Sequence, residues 1–406
     1  MLLSESIHPS ADEAFERADI AIHRTSAGLA GDELIAALVA IPGDEPVMLG
    51  IRSKTNVRAP VFEAVRRLAA VGAFCIGTDQ VELAAAHAQG VAVFNAPFSN
   101  TRSVAELVIA EIVVLSRQIF ARSWAAHEGE WRKDAEGAHE VRGKTLGIIG
   151  YGHIGSQLSV LAEAMGLRVI YYDVVNKLPL GNACVASDLD TLLAESDFVT
   201  LHVPDTEATR NMINASQIAK LKRGAYLINA SRGTVVDLDA LRDAIVSGQV
   251  GGAAIDVYPK EPKGGGDRFE SPLQGLRNVI LTPHIGGSTQ EAQANIGREV
   301  SEALSAYMSV GRTTACLTLP MIDAAELRPG SCRLVNIHKD VPGVLSRVNH
   351  VVAEVNINIS GQHLVTGGGT GLLLMDLDVP REDARAGALR EGIAKLDQSL
   401  RTRLIC

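Results

Sequence analysis

The stretch Leu146-Gly147-Ile148-Ile149-Gly150-Tyr151-Gly152-His153-Ile154-Gly155 constrains this chain more than any other. An apolar run long enough for one buried strand ends directly on G-x-G-x-x-G, and an apolar helical pattern follows. In that context the glycines have physical work to do. Gly150 permits a tight turn, Gly152 lets backbone approach a pyrophosphate, and Gly155 lets the helix lie close on the strand. The start of that helix, at His153 and Ile154, offers unpaired N–H groups to phosphates. Asp173 closes the next strand, at 173 − 155 = 18 residues from the last glycine. A carboxylate there accepts hydrogen bonds from a ribose diol and repels a 2′-phosphate, so the expected cofactor is NAD rather than NADP.

The β/α alternation around this motif extends over most of the chain. Before it, Ala18–Arg24, Val47–Arg52, Ala73–Gly77 and Val91–Phe94 read as short buried strands, separated by helices at Glu33–Leu38, Ala59–Ala69 and Val81–Ala88. A helix is expected from Asn100 to about Glu128. After the motif, strands are expected at Arg168–Tyr172, Phe198–His202, Ala225–Asn229, Gly252–Asp256 and Val279–Leu281, with a Pro/Gly-rich loop at 260–267. Ser288-Thr289-Gln290-Glu291 reads as a capping box opening a helix that returns the chain to the first domain. Arg312–Gly330 reads as a linker. Beyond it the order strand, helix, strand, Gly367-Gly368-Gly369 turn, strand, helix, strand is ferredoxin-like. The expected class is therefore α/β: two doubly wound parallel-sheet domains, one for substrate and one of Rossmann type, then a βαββαβ domain. The expected boundaries are 1–99 with 287–328, 100–286, and 331–406.

Three polar stretches follow strands of the second sheet, where ligands of open parallel sheets bind. They are Ala230-Ser231-Arg232, Asp256 through Glu261, and His284-Ile285-Gly286-Gly287. Oxidising a hydroxyl needs a base for its proton, and a histidine suits that task. A carboxylate can orient the ring, and an arginine can grip a substrate carboxylate by two parallel bonds. Each residue also has an ordinary alternative: a turn histidine, a surface arginine, a solvated glutamate. Their delivery by three strands of one dinucleotide-type sheet favours catalysis.

At these residues the chain resembles the D-isomer-specific 2-hydroxyacid dehydrogenases, and within them the branch that acts on 3-phosphoglycerate and carries a C-terminal ACT-type domain. The resemblance is carried by FNAPFSNTRSVAELVI (94–109), LGIIGYGHIG (146–155), NKLPLGNA (176–183), INASRGTVVD (228–237), GAAIDV (252–257) and LTPHIGGSTQEAQ (281–293). It implies NAD-dependent oxidation of 3-phospho-D-glycerate, with His284 as acid/base, Glu261 as its partner and Arg232 on the substrate carboxylate. It places the cofactor against Gly150–Gly155, Asp173, Ala230–Arg232, Asp256 and His284–Gly287. Arg52, Ser53, Lys54, Asn100, Trp131 and Lys133 match substrate positions, with Trp131 reaching a neighbouring subunit. Two crossings, near Asn100 and Gly286, are expected to act as hinges of a cleft. In the tail, His338, Asp340 and Asn358 match positions that bind a small amino acid, L-serine in the related enzymes, between paired modules of a homotetramer. Asp340 stands where those relatives carry asparagine, and could instead cap the following helix. The alternatives are a dehydrogenase for another 2-hydroxy acid, such as 2-hydroxyglutarate, and a non-catalytic NAD-sensing scaffold.

Composition limits the partners. With 38 Lys+Arg against 47 Asp+Glu the net charge is −9, which speaks against nucleic acid and anionic membranes. It leaves room for one small anion held by Arg52, Lys54, Arg132, Lys133 and Arg232. No run reaches the roughly 20 apolar residues that cross a bilayer, and the first ten residues lack a secretory pattern, so a cytoplasmic protein is expected. Five scattered cysteines show no metal-ligand spacing and read as reduced thiols.

Overall fold

The computed structural model describes residues 1–262, 267–380 and 382–406. The expected 260–267 loop therefore lies partly outside the described residues, at 263–266. The chain divides into two compact units, Met1–Ser99 with Gln293–Cys406, and Asn100–Ala292.

The first unit holds two sheets. One is parallel, with strands β1 (Leu2–Leu3), β2 (His23–Arg24), β3 (Val47–Ile51), β4 (Leu68–Ala73) and β5 (Ala92–Asn95) in the order β2-β1-β3-β4-β5. Period-two alternation sends its side chains to two cores. Leu2, Leu49, Val71 and Val93 face the helices Gly31–Val39, Ala59–Ala64 and Leu83–Ala88. Leu3, Met48, Ala70 and Ala92 face the helix Gln290–Val310 through Ile296, Val300, Leu304 and Tyr307.

The second unit is built on a seven-stranded parallel sheet: β6 (Thr145–Ile149), β7 (Arg168–Tyr172), β8 (Cys184–Val185), β9 (Phe198–Leu201), β10 (Ala225–Asn229), β11 (Val250–Ile255) and β12 (Val279–Leu281). Its order is β12-β11-β10-β9-β6-β7-β8. The reversal between β6 and β9 is the switch point at which such sheets bind ligands.

The tail forms the antiparallel sheet β14-β15-β13-β16 from β13 (Cys332–Lys339), β14 (Ile359–Gly367), β15 (Thr370–Leu377) and β16 (Ser399–Ile405), with helices Val344–Val355 and Ala384–Ala394. One face packs on those helices through Leu334, Leu373 and Met375. The other joins the core beneath the helix Gln290–Val310 through Val335, Ile337, Leu372 and Leu374. Arg401 and Arg403 on β16 donate to carbonyls of Gln89, Arg66, Met308 and Tyr307. The stretch 312–330 has no regular element, yet Thr313, Leu319 and Ile322 are buried, so it is a packed strap rather than a loose linker.

Several local expectations are corrected. Only His23–Arg24 of the Ala18–Arg24 run is strand, because Asp19 takes φ 53° as the preceding helix ends. Leu68-Ala69, read as the end of a helix, opens a strand: its place inside the sheet overrides good helix propensity. The long helix after Asn100 is two, Thr101–Ser116 and Ile119–His127, broken at Gln118 with φ 54°. There His139 and Ser116 exchange two hydrogen bonds, N–H to carbonyl and hydroxyl to carbonyl. Helices at Leu189–Glu195 and Ala215–Lys220 were not anticipated, although Asp188 and Asn214 cap them. Thr289, not Ser288, accepts from Ala292 N at the start of the long helix. The reduced-thiol expectation fails for one pair. Antiparallel register sets Arg333 opposite Ile405, so Cys332 and Cys406 face each other one step further and form a disulfide, with Cα atoms 4.4 Å apart. A separation of 74 residues hid this pairing. Cys75, Cys184 and Cys316 keep their thiols.

Candidate active site

The site grows from the carboxyl ends of β6, β10, β11 and β12 in the second unit. After β6, Gly150 takes φ +92°, and a Cβ there would lie 2.3 Å from the His202 carbonyl oxygen, so only glycine fits. Asp173, at the end of β7, accepts from Tyr151 N (2.8 Å) and Val175 N (2.9 Å), tying the next strand end to the glycine turn. The helix His153–Ala164 starts there.

After β10, the buried Asn229 shapes the turn. Its Oδ1 accepts from Ser231 N (3.1 Å) and Ser231 Oγ (2.8 Å), and its Nδ2 donates to Arg232 O (3.0 Å). Arg232 is half-buried and donates to Ser231 O (2.8 Å). Among the described residues no carboxylate pairs with its guanidinium, which leaves donors for an anion.

After β11, Asp256 is 1% exposed and accepts from Thr282 Oγ1 (2.6 Å), Ile285 N and Gly286 N (2.8 Å each). One carboxyl group thus fixes the whole turn after β12. Tyr258 OH bridges the same two strand ends by donating toward Ile255 O and Thr282 O. In that turn His284 takes φ 55°, uncommon outside glycine. Its Nδ1 donates to Glu261 Oε2 at 2.9 Å, while Glu261 Oε1 accepts from Tyr258 N. A carboxylate only accepts, so Nδ1 carries the proton and Nε2 is left to exchange one. The Glu261 hydrogen bond, working against burial, holds the imidazole above its ordinary pKa. Burial works against the Glu261 charge, but hydrogen bonding to His284 brings that carboxyl below its usual range.

Gly286 is buried and Ile285 exposed. A Cβ on Gly287 would lie 2.4 Å from Asn100 Nδ2, so the two crossing segments touch where side-chain volume is excluded. The Asn100 Oδ1 is buried without a hydrogen-bond partner among the described residues.

The other expected residues are placed separately. In the first unit, Arg52, Ser53 and Lys54 form a loop after β3, cradled by Glu5. The Glu5 carboxylate accepts from Arg52 N (3.1 Å), Lys54 N (2.8 Å) and Thr55 N (2.7 Å). Trp131 (89% exposed), Arg132 and Lys133 stand on an exposed arm pinned by Arg122, which donates to Arg132 O, Asp134 and Glu136 O. No hydrogen bond or ion pair among the described residues joins Trp131 or Lys133 to Arg232, Glu261 or His284.

The effector positions do not meet within one tail module. His338 is buried, with Nδ1 2.9 Å from Asn336 Oδ1, and pairs in register with Gly371. Asp340 is exposed and is not a helix cap, since the helix Val344–Val355 starts after Gly343. Asn358 donates to Asp378 Oδ2 (2.6 Å), at the other end of β15. From 371 to 378 is seven residues, about 23 Å at ~3.3 Å each.

A nicotinamide dinucleotide fits the second unit. Nothing lies within 4 Å of a Cβ built on Gly152, so the turn keeps an open cradle for a pyrophosphate, and the buried ring nitrogen His202 Nδ1 beside it has no hydrogen-bond partner among the described residues. Gly150 and Gly152 form this turn, and His153, Ile154 and Gly155 open the helix that follows it. No group of His, Cys, Asp and Glu among the described residues is arranged to hold a metal, and no helix among them is long and apolar enough to cross a membrane.

Sequence reading missed Asn229, Glu5, Thr282 and Tyr258. Asn229 left a signal, an amide closing a strand one residue short of Ser231 and Arg232. Glu5 left none, because its partners are backbone groups about 50 residues away.

Residues 109–286 match the family model for the D-isomer specific 2-hydroxyacid dehydrogenase NAD binding domain. Residues 334–401 match an AHAS small subunit-like ACT domain. The chain is 47% identical over 405 residues to the D-3-phosphoglycerate dehydrogenase of Haemophilus influenzae, covering 100% of this chain and 96% of that one. It is 46% identical over 404 residues to the enzyme of that name from Escherichia coli K12, covering 100% and 97%. A crystal structure of D-lactate dehydrogenase from Aquifex aeolicus, complexed with NAD and lactic acid, superposes with TM-score 0.65 at 28% identity, covering 76% of this chain and 95% of that one.

Proposed function

Since the chain belongs to the D-isomer specific 2-hydroxyacid dehydrogenases and is an NAD oxidoreductase, we propose that it oxidises 3-phospho-D-glycerate at C2 to 3-phosphohydroxypyruvate, the first step of L-serine synthesis. The observation that carries the chemistry is the His284–Glu261 pair beside a guanidinium, Arg232, that forms no ion pair with a carboxylate among the described residues. The substrate comes from the names of the full-length relatives.

His284 Nε2 takes the C2 hydroxyl proton, and in reverse returns it to the alkoxide. Glu261 fixes the tautomer and stabilises the imidazolium. Arg232 grips the carboxylate and polarises the adjoining C2 oxygen. Bound NAD supplies the hydride acceptor. Asp256, by holding Ile285 and Gly286, keeps His284 at the mouth of the site, and Ala230, Ser231 and Gly287 complete the cofactor wall. Arg52, Ser53 and Lys54 bind the phosphate, with Asn100, Trp131 and Lys133 as further substrate contacts. The domains take the boundaries 1–99 with 287–328, 100–286, and 331–406.

A panel of 2-hydroxy acids with NAD tests this reading. 3-Phosphoglycerate should give the highest kcat/KM, and Arg52→Ala should raise its KM at least about tenfold with little change for lactate. Preference for lactate or 2-hydroxyglutarate, or an unchanged KM, would reject the phosphate assignment.

Asp173→Ala should weaken NAD binding about tenfold or more and narrow the NAD/NADP preference, by removing the ribose acceptor and the charge that repels a 2′-phosphate. Steady-state kinetics with both cofactors reads this, and unchanged selectivity would remove Asp173 from the ribose site.

For the tail, we infer a cytoplasmic homotetramer inhibited by L-serine. The register that separates His338 and Asp340 from Asn358 supports an effector site completed by a second copy. The edge strand β14, exposed along most of its length, supports pairing between copies. L-serine should inhibit at sub-millimolar concentration and Asn358→Ala should relieve it; no inhibition by millimolar serine would refute this.

A further inference from the structure

Glu111 is a buried ionisable group that the chemistry above leaves unused. It lies on the helix Thr101–Ser116, is 4% exposed, and neither carboxyl oxygen has a hydrogen-bond partner among the described residues. A carboxylate stripped of water without a partner is strongly disfavoured.

Helix geometry sets it one turn beyond two residues that face the turn after β12. A Cβ built on Gly286 would lie 3.0 Å from Asp256 Oδ2, 3.5 Å from Val104 Cγ2 and 3.8 Å from Leu107 Cδ2. Glu111 follows Val104 by seven residues and Leu107 by four, so it continues the same face one turn on. That helix packs on the helices His153–Ala164 and Ile119–His127 and on β10, β11 and β12. The titratable groups opposite it are Asp256, whose charge acts on Glu111, and Tyr258, on which Glu111 acts in turn. Glu261, His284 and Arg232 lie around these two. Asp256 accepts all three of its hydrogen bonds, the pattern of a carboxylate. Burial first, then the Asp256 charge, push the Glu111 carboxyl up to about 8. Two carboxyl groups therefore share one buried region, neither in an ion pair with a cation among the described residues, and at neutral pH Glu111 keeps its proton.

We propose that Glu111 is a positioning residue that stores one proton behind the Ile285–Gly286 turn and releases it to solvent when a cationic ring is seated beside Asp256. This rests on the reading that Asp256 faces the nicotinamide. The oxidised ring is positively charged and the reduced ring is neutral. A positive charge beside the acid pair favours two carboxylates, whereas a neutral ring leaves the proton in place. The pair thus senses the oxidation state of the cofactor through charge, and affinity for the oxidised form rises with pH while affinity for the reduced form does not.

Calorimetric titration of NAD and of NADH into the full-length protein, from pH 7 to 9 in buffers of different ionisation enthalpy, counts the protons released. The wild-type protein should release part of a proton with NAD but not NADH near pH 8, and its NAD affinity should rise about threefold to tenfold across the range. Glu111→Gln keeps the shape and the neutral state. It should lose that release and the Glu111 share of the pH dependence, while binding NADH within about twofold of wild type; any share from His284 persists in both proteins. Identical proton counts in wild type and Glu111→Gln, or equal release with NADH, overturn the proposal. Difference infrared spectroscopy needs no variant: a protonated-carboxyl band should disappear with NAD and survive with NADH, and no such difference also overturns it. If Asp256→Asn leaves both affinities unchanged, the placement of Asp256 at the cofactor fails, an outcome separate from failure of the Glu111 role.

Discussion

Exchange of His284 for asparagine is expected to lower kcat on the order of 10³-fold while NADH affinity stays within about threefold. Asparagine keeps a donor toward Glu261 Oε2 but has no titratable nitrogen where Nε2 stands, so the hydroxyl proton has nowhere to go. Steady-state kinetics with cofactor-fluorescence titration separates the two effects, and a kcat within tenfold of wild type would exclude His284 as the base. The pH profile gives a second reading. Because Glu261 holds the imidazole above its ordinary value, oxidation, which needs the neutral ring, rises with pH through that raised value, and reduction falls through it. Glu261→Gln should therefore move both limbs to lower pH. The same sign applies to folding: stability from this pair is fully present below the ordinary imidazole value and fades as pH rises through the raised one.

Arg232→Lys is expected to cost about 10²–10³ in kcat/KM despite conserving the charge. The guanidinium is a fixed fork, anchored by Nη1 on Ser231 O within a turn that Asn229 holds at three points. Lysine offers a point charge without the parallel pair of bonds that orients a carboxylate. The loss should fall on kcat as well as KM, since the same fork polarises the carbonyl forming at C2. A change confined to KM would make Arg232 a binding residue only.

What could be read from the sequence follows the range over which each signal acts. The glycine turn, Asp173, and the placement of Arg232, Glu261 and His284 at strand ends depend on local pattern, and the structure brings the last two into hydrogen-bond contact. Strand β4 was displaced by five residues because Leu-Ala-Ala carries no local mark of sheet. The break at Gln118 was invisible because a segment twenty residues later makes it. Glu5, Asn229 and Thr282 act through backbone and hydroxyl groups, whose partners the order of residues does not name. Cys332 and Cys406 needed the register of two strands before either implied the other.

That last pair gives the tail a different topology from the rest of the molecule. From Cys332 to Cys406 the polypeptide is a closed covalent ring containing β13–β16 and both of their helices. A single backbone cut anywhere inside it, including the exposed turn at Gly367–Gly369, yields no separate fragment. The two pieces remain one molecule until a reductant opens the ring.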